Sequence, residues 1–293
     1  ANAFFDQSTS PPIRVAILFP KGKVSPVQEK QMTTLGHNVT AYEVDGTFDD
    51  CQALVKQALA DKDLKARQAF TSANSINIAR LLPQMFYYVY AALKMNPIGA
   101  PIFSVPSGNL GNLTGGILGY LMGMPATHFI AACNINAPFP EYLHSGEYHP
   151  HPSQETISNA MDVGNPSNYV RLLSLYGNEI GRMRSMISGD RLTDEETIAT
   201  ISKTFHDTGY MLDPHTAVGM LALERSRLGT RSTTPGVVLA TAHPAKFANT
   251  VARAIGRAPE IPAQLAEALA RDGDKISISN SYAELQRQLA TIG

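Results

Sequence analysis

Apolar runs and amphipathic segments alternate along the first hundred residues, which predicts strands and helices in turn. Ser25-Pro26-Val27-Gln28 gives a helix N-cap, a proline at the first helical position and a returning glutamine. The predicted elements are a strand at Ile13 to Phe19, a helix from Pro26, a strand at Asn38 to Val44, a helix from Thr47 to about Ala66, a strand at Phe70 to Ile76 and a helix from about Asn77 to Lys94. Such alternation predicts a parallel sheet with helices on both faces.

A second set of alternating elements begins near Pro97 and predicts a second wound sheet. Its predicted strands are Ile102 to Val105, Phe129 to Cys133 and Val237 to Thr241, and its predicted helices begin after Gly111, after the capping box at Thr193, and near Phe247. The residues from Asn134 to Asn168 are rich in proline, histidine and asparagine. They are either a covering loop or an ordered active-site segment.

Charge and composition narrow the classes of function. The chain has 24 basic and 25 acidic residues and a net charge of -1, so it lacks a long-range attraction to nucleic acid or an anionic membrane. A small-molecule ligand is therefore expected. Cys51 and Cys133 are not at metal-binding spacing, which suits a reducing cytosol and gives no zinc site. The longest apolar run, Met85 to Leu93, is too short to cross a bilayer, so we expect a cytoplasmic protein.

The strongest candidate for chemistry is Ser-Val-Pro-Ser-Gly-Asn-Leu-Gly-Asn-Leu at residues 104–113, where a predicted buried strand turns into a helix. Gly108 and Gly111 allow a tight turn, and the unpaired amides that open the helix can bind a phosphate. The spacing differs from G-x-G-x-x-G, and no Gly-Lys-Ser/Thr follows, so neither a dinucleotide nor a nucleoside-triphosphate loop is indicated. An ordinary glycine turn is the alternative interpretation.

Polar residues follow other predicted strands, where parallel sheets bind ligands. They are Ser72 to Arg80, Asn159 to Asn168 and Thr241 to Phe247. Ser75 and Asn77 can cap a helix, and Arg80 can bind an anion with two parallel hydrogen bonds. Helix capping, a polar turn and surface exposure are the simpler explanations of these three clusters.

These clusters together resemble the threonine synthase family of the bacterial and fungal type. The matching motifs are Ser107-Gly108-Asn109-Leu110-Gly111-Asn112, Asn74-Ser75-Ile76-Asn77 with Arg80, Asn159-Ala160-Met161-Asp162-Val163-Gly164, Thr241-Ala242-His243-Pro244-Ala245-Lys246-Phe247, Phe19 to Pro26 and Asp213-Pro214-His215-Thr216-Ala217. Their order and spacing also match, and the resemblance covers nearly the whole chain.

The resemblance implies a pyridoxal-phosphate enzyme of the tryptophan-synthase-β-like fold, fold type II, that converts O-phosphohomoserine and water to L-threonine and phosphate. Residues 1–96 would form a small α/β domain, here incomplete, and residues 97–293 a large cofactor-binding α/β domain. Thr241 would bond the pyridine nitrogen. The cofactor-binding residues implied are Ser107, Gly108, Asn109, Leu110, Gly111, Asn112 and Thr241, and the substrate-binding residues are Ser75, Asn77 and Arg80. Leu110 replaces the more usual phenylalanine of the loop, a change that leaves the backbone cradle intact.

One departure from the family concerns the catalytic lysine. The family forms its Schiff base in a Phe-Lys-Asp context followed by Thr-Ser-Gly-Asp-Thr-Gly, and neither occurs here. We expect that material upstream of residue 1, so no catalytic residue is assigned and the chain as it stands is not expected to turn over. Lys246 is the only lysine in the four candidate site clusters, and the family gives it another role. The partner is a small molecule, and the protein is expected to be a monomer or homodimer. The alternatives are a non-catalytic phosphate-ligand binding relative and a pyridoxal-phosphate-dependent serine/threonine dehydratase.

Overall fold

The computed structural model of the 293-residue chain describes residues 13–75, 77–230 and 233–291. The strands in these ranges are β1 (Val15–Pro20), β2 (Val39–Asp45), β3 (Ile102–Pro106), β4 (His128–Cys133), β5 (Ile187–Arg191), β6 (Gly236–Val238) and β7 (Ile276–Ser279). The α-helices are α1 (Pro26–Thr33), α2 (Phe48–Ala60), α3 (Lys62–Arg67), α4 (Met85–Met95), α5 (Gly111–Leu121), α6 (Pro138–Ser145), α7 (Tyr169–Leu175), α8 (Ile180–Met186), α9 (Asp194–Thr208), α10 (Pro214–Thr230), α11 (Ala248–Ile255), α12 (Ala263–Ala270) and α13 (Tyr282–Thr291). Turns of 3-10 helix lie at Ile78–Arg80, Asn159–Met161 and Pro244–Phe247.

The chain divides into two compact units, each with its own parallel sheet. The first unit combines the described residues up to Ser72 with those from Glu260 on, and the second is Ala73–Pro259. The sequence placed a single boundary near residue 96. The structure differs because β7 pairs with β2, and because Tyr88 of α4 packs edge-on against Phe103 of the second sheet.

The sheet of the first unit has the order β1-β2-β7, with every pair parallel. Tyr42 and Val44 of β2 pack with Leu54 of α2 and Leu285 of α13, and all four side chains are buried. The capping box predicted at Ser25 is present, with both reciprocal hydrogen bonds to Gln28. The predictions of β1, α1 and β2 are therefore confirmed.

Glu43 is a buried carboxylate on β2 with partners on the strand beside it. Lys275 Nζ donates to Glu43 Oε1 at 2.6 Å, and Ser277 Oγ donates to Oε2 at 3.0 Å. The hydrogen bond from Lys275 lowers the pKa of Glu43. Lys275 also bonds Glu29 of α1 at 2.6 Å, so its ammonium joins the residue directly before β7 to both β2 and α1.

The sheet of the second unit has the order β5-β4-β3-β6, again with every pair parallel. On one face Phe103 and Phe129 pack with Ile117 of α5. On the other face Ile102 and Ile130 pack with Val218 and other residues of α10. Helices therefore cover both faces, as predicted, and the carboxyl ends of β3 and β6 lie side by side at one edge.

Some predicted boundaries are wrong. Residues 70–75 contain no strand, and Ile76 lies outside the described residues. The helix predicted from Asn77 to Lys94 is a 3-10 turn followed by α4, which begins two residues after Pro83 because proline disfavours helical backbone at the residue before it. The helix predicted to reach Ala66 breaks at Asp61, whose carboxylate caps α3. Strand β6 ends at Val238 instead of Thr241.

None of the helices in the described ranges is long and apolar enough to span a membrane.

Candidate active site

The turn between β3 and α5 holds a run of free amides. Ser107 N–H donates to Ala132 O at 2.8 Å, and Thr114 N–H donates to Leu110 O at 2.9 Å. Between them, the six amides from Gly108 to Leu113 find no acceptor among the described residues of the chain. The first amides of a helix carry partial positive charge, so this run can bind an anion.

Leu110 gives the turn its shape. Its φ of 59° and ψ of 8° lie in the left-handed region, directly before the first residue of α5. Only 2% of its surface is exposed, because the side chain packs in the core of the second unit. A non-glycine residue seldom adopts this conformation unless the surroundings hold it there, and here the core does.

Two glycines let neighbouring segments approach the turn. A Cβ on Gly108 would lie 2.7 Å from Met161 Cα and 3.1 Å from Ala160 O. A Cβ on Gly111 would lie 3.0 Å from Ser75 Cβ. Gly108 therefore allows close approach of backbone at residues 160 and 161, and Gly111 allows close approach of the Ser75 side chain.

Asn109 joins the turn to two other segments of the chain. Its Oδ1 accepts from Ser167 N–H at 2.5 Å, and its Nδ2 donates to Ser75 Oγ at 2.8 Å. Its carbonyl accepts from Asn168 Nδ2 at 2.8 Å. Asn109 therefore fixes the turn through its side chain and its carbonyl, while its backbone N–H stays free.

The side chains of Ser107 and Asn112 also belong to the framework. Ser107 Oγ donates to Val105 O at 2.8 Å, so neither donor of Ser107 is free for a phosphate, although the sequence placed this residue among the cofactor ligands. Asn112 Oδ1 accepts from Tyr87 Oη at 2.6 Å and Tyr88 Oη at 2.7 Å. Burial raises the pKa of Tyr88 well above its usual value, so its hydroxyl stays a donor.

Ser75, Asn77 and Arg80 lie on the segment before α4. Ser75 contacts the turn through Asn109, and its carbonyl accepts from Arg171 Nη1 at 2.7 Å. The Asn77 side chain caps the 3-10 turn by accepting from Ala79 N–H at 3.0 Å, as the simpler explanation predicted. The guanidinium of Arg80 is exposed and forms no ion pair or hydrogen bond with the described residues, which leaves it available to an anionic ligand.

Thr241 follows β6 at the sheet edge that also carries the turn. Beyond the last paired residues of β6, Leu239 N–H still donates to Ser104 O at 3.0 Å, so the chain runs beside β3 towards Ser107. Thr241 itself is exposed, and its hydroxyl bonds none of the described residues. His243 caps the next 3-10 turn through Ala245 N–H, which is a structural role.

Sequence analysis missed a role for Asp213 and His215. His215 Nδ1 lies 3.0 Å from Asp213 Oδ1, and Ala160 N–H donates to His215 Nε2 at 3.3 Å. Because Nε2 accepts, the neutral ring carries its proton on Nδ1 and donates it to Asp213. The pair thus holds the 3-10 turn Asn159–Met161, whose backbone touches Gly108. The motif Asp213-Pro214-His215 was visible in the sequence, but its contact with residue 160 spans more than fifty positions.

Asp162 fixes the same segment from its other end. Its carboxylate accepts from Thr156 Oγ1 at 2.7 Å, Thr156 N–H at 3.0 Å and Asn134 Nδ2 at 2.8 Å. Burial raises the pKa of Asp162, although these hydrogen bonds oppose the shift. Of the two alternatives for residues 134–168, the structure favours an ordered segment beside the turn.

Comparisons with known proteins match this chain to one group of enzymes. A family model described as "Pyridoxal-phosphate dependent enzyme" matches residues 13–242, and one described as "Threonine synthase, C-terminal" matches residues 216–289. A crystal structure of threonine synthase from Escherichia coli is 39% identical, with a TM-score of 0.91 over 100% of this chain and 67% of that one. The chain belongs to the threonine synthase family of pyridoxal-phosphate dependent enzymes.

Other members of the family support the assignment. The curated threonine synthase of Escherichia coli K12 is 43% identical over 91% of this chain. The structure of threonine synthase from Brucella melitensis, bound to pyridoxal phosphate, is 36% identical with a TM-score of 0.83, over 96% of this chain and 66% of that one. The chain spans about 61% of the length of the curated Escherichia coli relative. The fold is that of fold-type II enzymes, as expected.

The residues present fit the phosphate of the family's cofactor. The six free amides supply donors. The hydroxyl of Ser167, a residue bonded to Asn109 of the turn, is buried and has no hydrogen-bond partner in the described chain. Phosphate oxygens are acceptors, so a phosphate group matches both observations. No group of three metal-ligating side chains occurs among the residues that the structure describes.

Proposed function

We propose that this chain carries the cofactor and substrate sites of a threonine synthase that converts O-phosphohomoserine and water to L-threonine and phosphate. The run of free amides from Gly108 to Leu113 is the observation that carries the proposal, because it offers six consecutive free donors at the carboxyl edge of a parallel sheet. The similarity to threonine synthases favours this activity over a dehydratase or a non-catalytic binding protein.

The amides would hold the cofactor phosphate. When bound, pyridoxal phosphate supplies a pyridine ring that withdraws electrons from the substrate carbons. The exposed hydroxyl of Thr241 would donate to the ring nitrogen and leave it largely unprotonated. A carboxylate in this position would instead favour the protonated ring.

Arg80, Ser75 and Asn77 would bind the substrate, as the resemblance implies. The exposed guanidinium of Arg80 can form two parallel hydrogen bonds with a phosphate ester, which gives orientation as well as affinity. Ser75 Oγ already accepts from Asn109 Nδ2 and donates to Asn74 Oδ1, so the turn positions this hydroxyl relative to the amides. The location in the cytoplasm and the monomeric or dimeric state remain predictions.

The test compares two reactions of the chain joined to the segment that the resemblance places upstream. Phosphate release from O-phosphohomoserine supports the proposal. Ammonia release from serine or threonine without phosphate release would replace it with the dehydratase, and binding of pyridoxal phosphate without either reaction would leave the non-catalytic alternative.

Arg80→Gln sharpens the substrate assignment. We expect KM for O-phosphohomoserine to rise about tenfold to hundredfold, as for the loss of a hydrogen bond to a charged group, with the affinity for pyridoxal phosphate unchanged. Arg67→Gln is the matched control, because Arg67 is an exposed arginine of the other compact unit. Equal KM values for the two variants would contradict the role of Arg80.

A further inference from the structure

Ser167 bonds Asn109, one of the residues of the turn whose backbone amides are free. Its N–H donates to Asn109 Oδ1 at 2.5 Å, and the next residue, Asn168, donates through Nδ2 to Asn109 O at 2.8 Å. Two consecutive residues therefore bind both sides of the residue at the centre of the turn. The position of Ser167 relative to the amides is set by these hydrogen bonds.

The Ser167 hydroxyl is buried and has no hydrogen-bond partner within the described chain. Most buried hydroxyls in proteins are hydrogen-bonded, because burying one without a partner destabilises the fold. The neighbouring Ser107 behaves in the usual way, with its hydroxyl bonded to Val105 O. A free hydroxyl on a residue bonded to Asn109, whose own N–H is one of six free amides, indicates a common missing acceptor.

We propose that the Ser167 hydroxyl donates a hydrogen bond to the phosphate group held by the amides of Gly108 to Leu113. A phosphate monoester has three terminal oxygens that only accept when it is dianionic, so it can bond the amides and the hydroxyl together. The inference rests on the phosphate site of the proposed function, and it is independent of which substrate is converted.

The surroundings of Ser167 are already ordered for this role. Arg171 Nη1 donates to Asn168 Oδ1 at 2.5 Å and to Ser75 O at 2.7 Å, so the segment that carries Ser167 is tied to the segment that carries Ser75. Asn168 is fully buried. A donor held in place before binding loses little conformational freedom when the ligand arrives.

The experiment measures the binding of three probes to the full 293-residue chain and to Ser167→Ala. The probes are pyridoxal phosphate, inorganic phosphate and pyridoxal, which lacks the phosphate. We expect the variant to bind the first two about tenfold to hundredfold more weakly and pyridoxal as the wild type does. Ser104→Ala is the matched control, because Ser104 is also a buried serine, but its hydroxyl donates to Gly219 O at 2.6 Å. That variant should bind all three probes normally.

Unfolding without ligand gives a second readout that separates a ligand-binding hydroxyl from a structural one. Ser167→Ala removes an unpaired buried hydroxyl, so the ligand-free variant should be at least as stable as the wild type. Ser104→Ala breaks a buried hydrogen bond and should be less stable. A ligand-free Ser167→Ala protein that is clearly destabilised would show that the hydroxyl bonds within the protein and would overturn the inference.

The other outcomes of the binding experiment also decide whether the inference about Ser167 stands. Unchanged phosphate affinity in Ser167→Ala would mean that water satisfies the hydroxyl, and the inference would fail while the proposed reaction stood. A loss of phosphate affinity in Ser167→Ala, together with ammonia release instead of phosphate release in the two-reaction test above, would keep the inference and overturn the proposed function. If the wild-type chain bound neither phosphate nor pyridoxal phosphate, the inference would fail with the site itself.

Discussion

Gly108→Ala tests whether the turn is held against the segment at Met161. The added Cβ would lie 2.7 Å from Met161 Cα, about 0.7 Å inside the 3.4 Å at which ordinary contact begins, and 3.1 Å from Ala160 O. These neighbours are backbone atoms, so they cannot move away by changing a rotamer. The backbone at Gly108 lies outside the left-handed region, so crowding alone would cause the effect.

The segment at Met161 cannot easily move away from the new methyl group. On one side of Met161, the N–H of Ala160 donates to His215. On the other side, the carboxylate of Asp162 accepts hydrogen bonds from Thr156 and Asn134. We therefore expect the unfolding free energy to fall by about 1–3 kcal/mol, the usual cost of overpacking. Displacement of the amides by several tenths of an ångström should also weaken inorganic phosphate binding at least tenfold.

Urea unfolding and phosphate titration measure the two effects, with Gly119→Ala as the control. In that variant the nearest atom to the new Cβ is Met124 Sδ at 3.6 Å, an ordinary contact, and alanine favours the helix by up to about 1 kcal/mol. A Gly108→Ala protein with wild-type stability and wild-type phosphate affinity would refute the geometry of the turn described here.

Three further variants test other parts of the fold by urea unfolding. Lys275→Met should lower the unfolding free energy by about 1–2 kcal/mol at pH 7, since it removes a partly exposed partner of buried Glu43. Because the pKa of Glu43 is lowered in the fold, this stabilisation is lost as the pH falls through that lowered pKa. The difference in unfolding free energy between the wild type and the variant should therefore shrink in acid. A difference that stays constant with pH would contradict the pairing of Lys275 with Glu43. Asp162→Asn should show the opposite pH dependence, because the pKa of Asp162 is raised in the fold. The unfolding free energy of the wild type relative to the variant should fall as the pH rises from about 3.5 to 7. A rise in this difference would contradict burial as the cause of the raised pKa. Tyr88→Phe should cost about 1 kcal/mol through the lost bond to Asn112 and leave phosphate affinity within about twofold, so a large loss of affinity would give Tyr88 a larger role.

Local signals predicted most of the secondary structure. The capping boxes at Ser25 and Thr193 are present, because each depends on residues three positions apart. No strand forms over residues 70–75 of the strand predicted at Phe70 to Ile76. Ser75 Oγ bonds the adjacent Asn74 side chain, and Asn77, just beyond the predicted strand, caps a 3-10 turn, so local hydrogen bonds compete with strand pairing there. Glycine spacing located the turn after β3 because its geometry is also local.

Contacts distant along the chain could not be read from spacing. The return of β7 to β2, the bond between Ala160 and His215, and the position of Ser167 beside Asn109 all join residues more than fifty positions apart. The sequence likewise gave no indication that both donors of Ser107 are used within the protein. The roles of the predicted cofactor and substrate residues stay predictions, and the structure adds which of their side chains already bond within the protein.

The conformation of Leu110 has a consequence for how the site can change. An aliphatic side chain in the hydrophobic interior holds the left-handed turn, so the spacing of the amides depends on how well that interior is filled. Repacking Leu113 or Ile117 could thus retune anion affinity from a distance, without altering any group that meets the ligand. Selection on the packing of the interior and selection on recognition would act on the same residue.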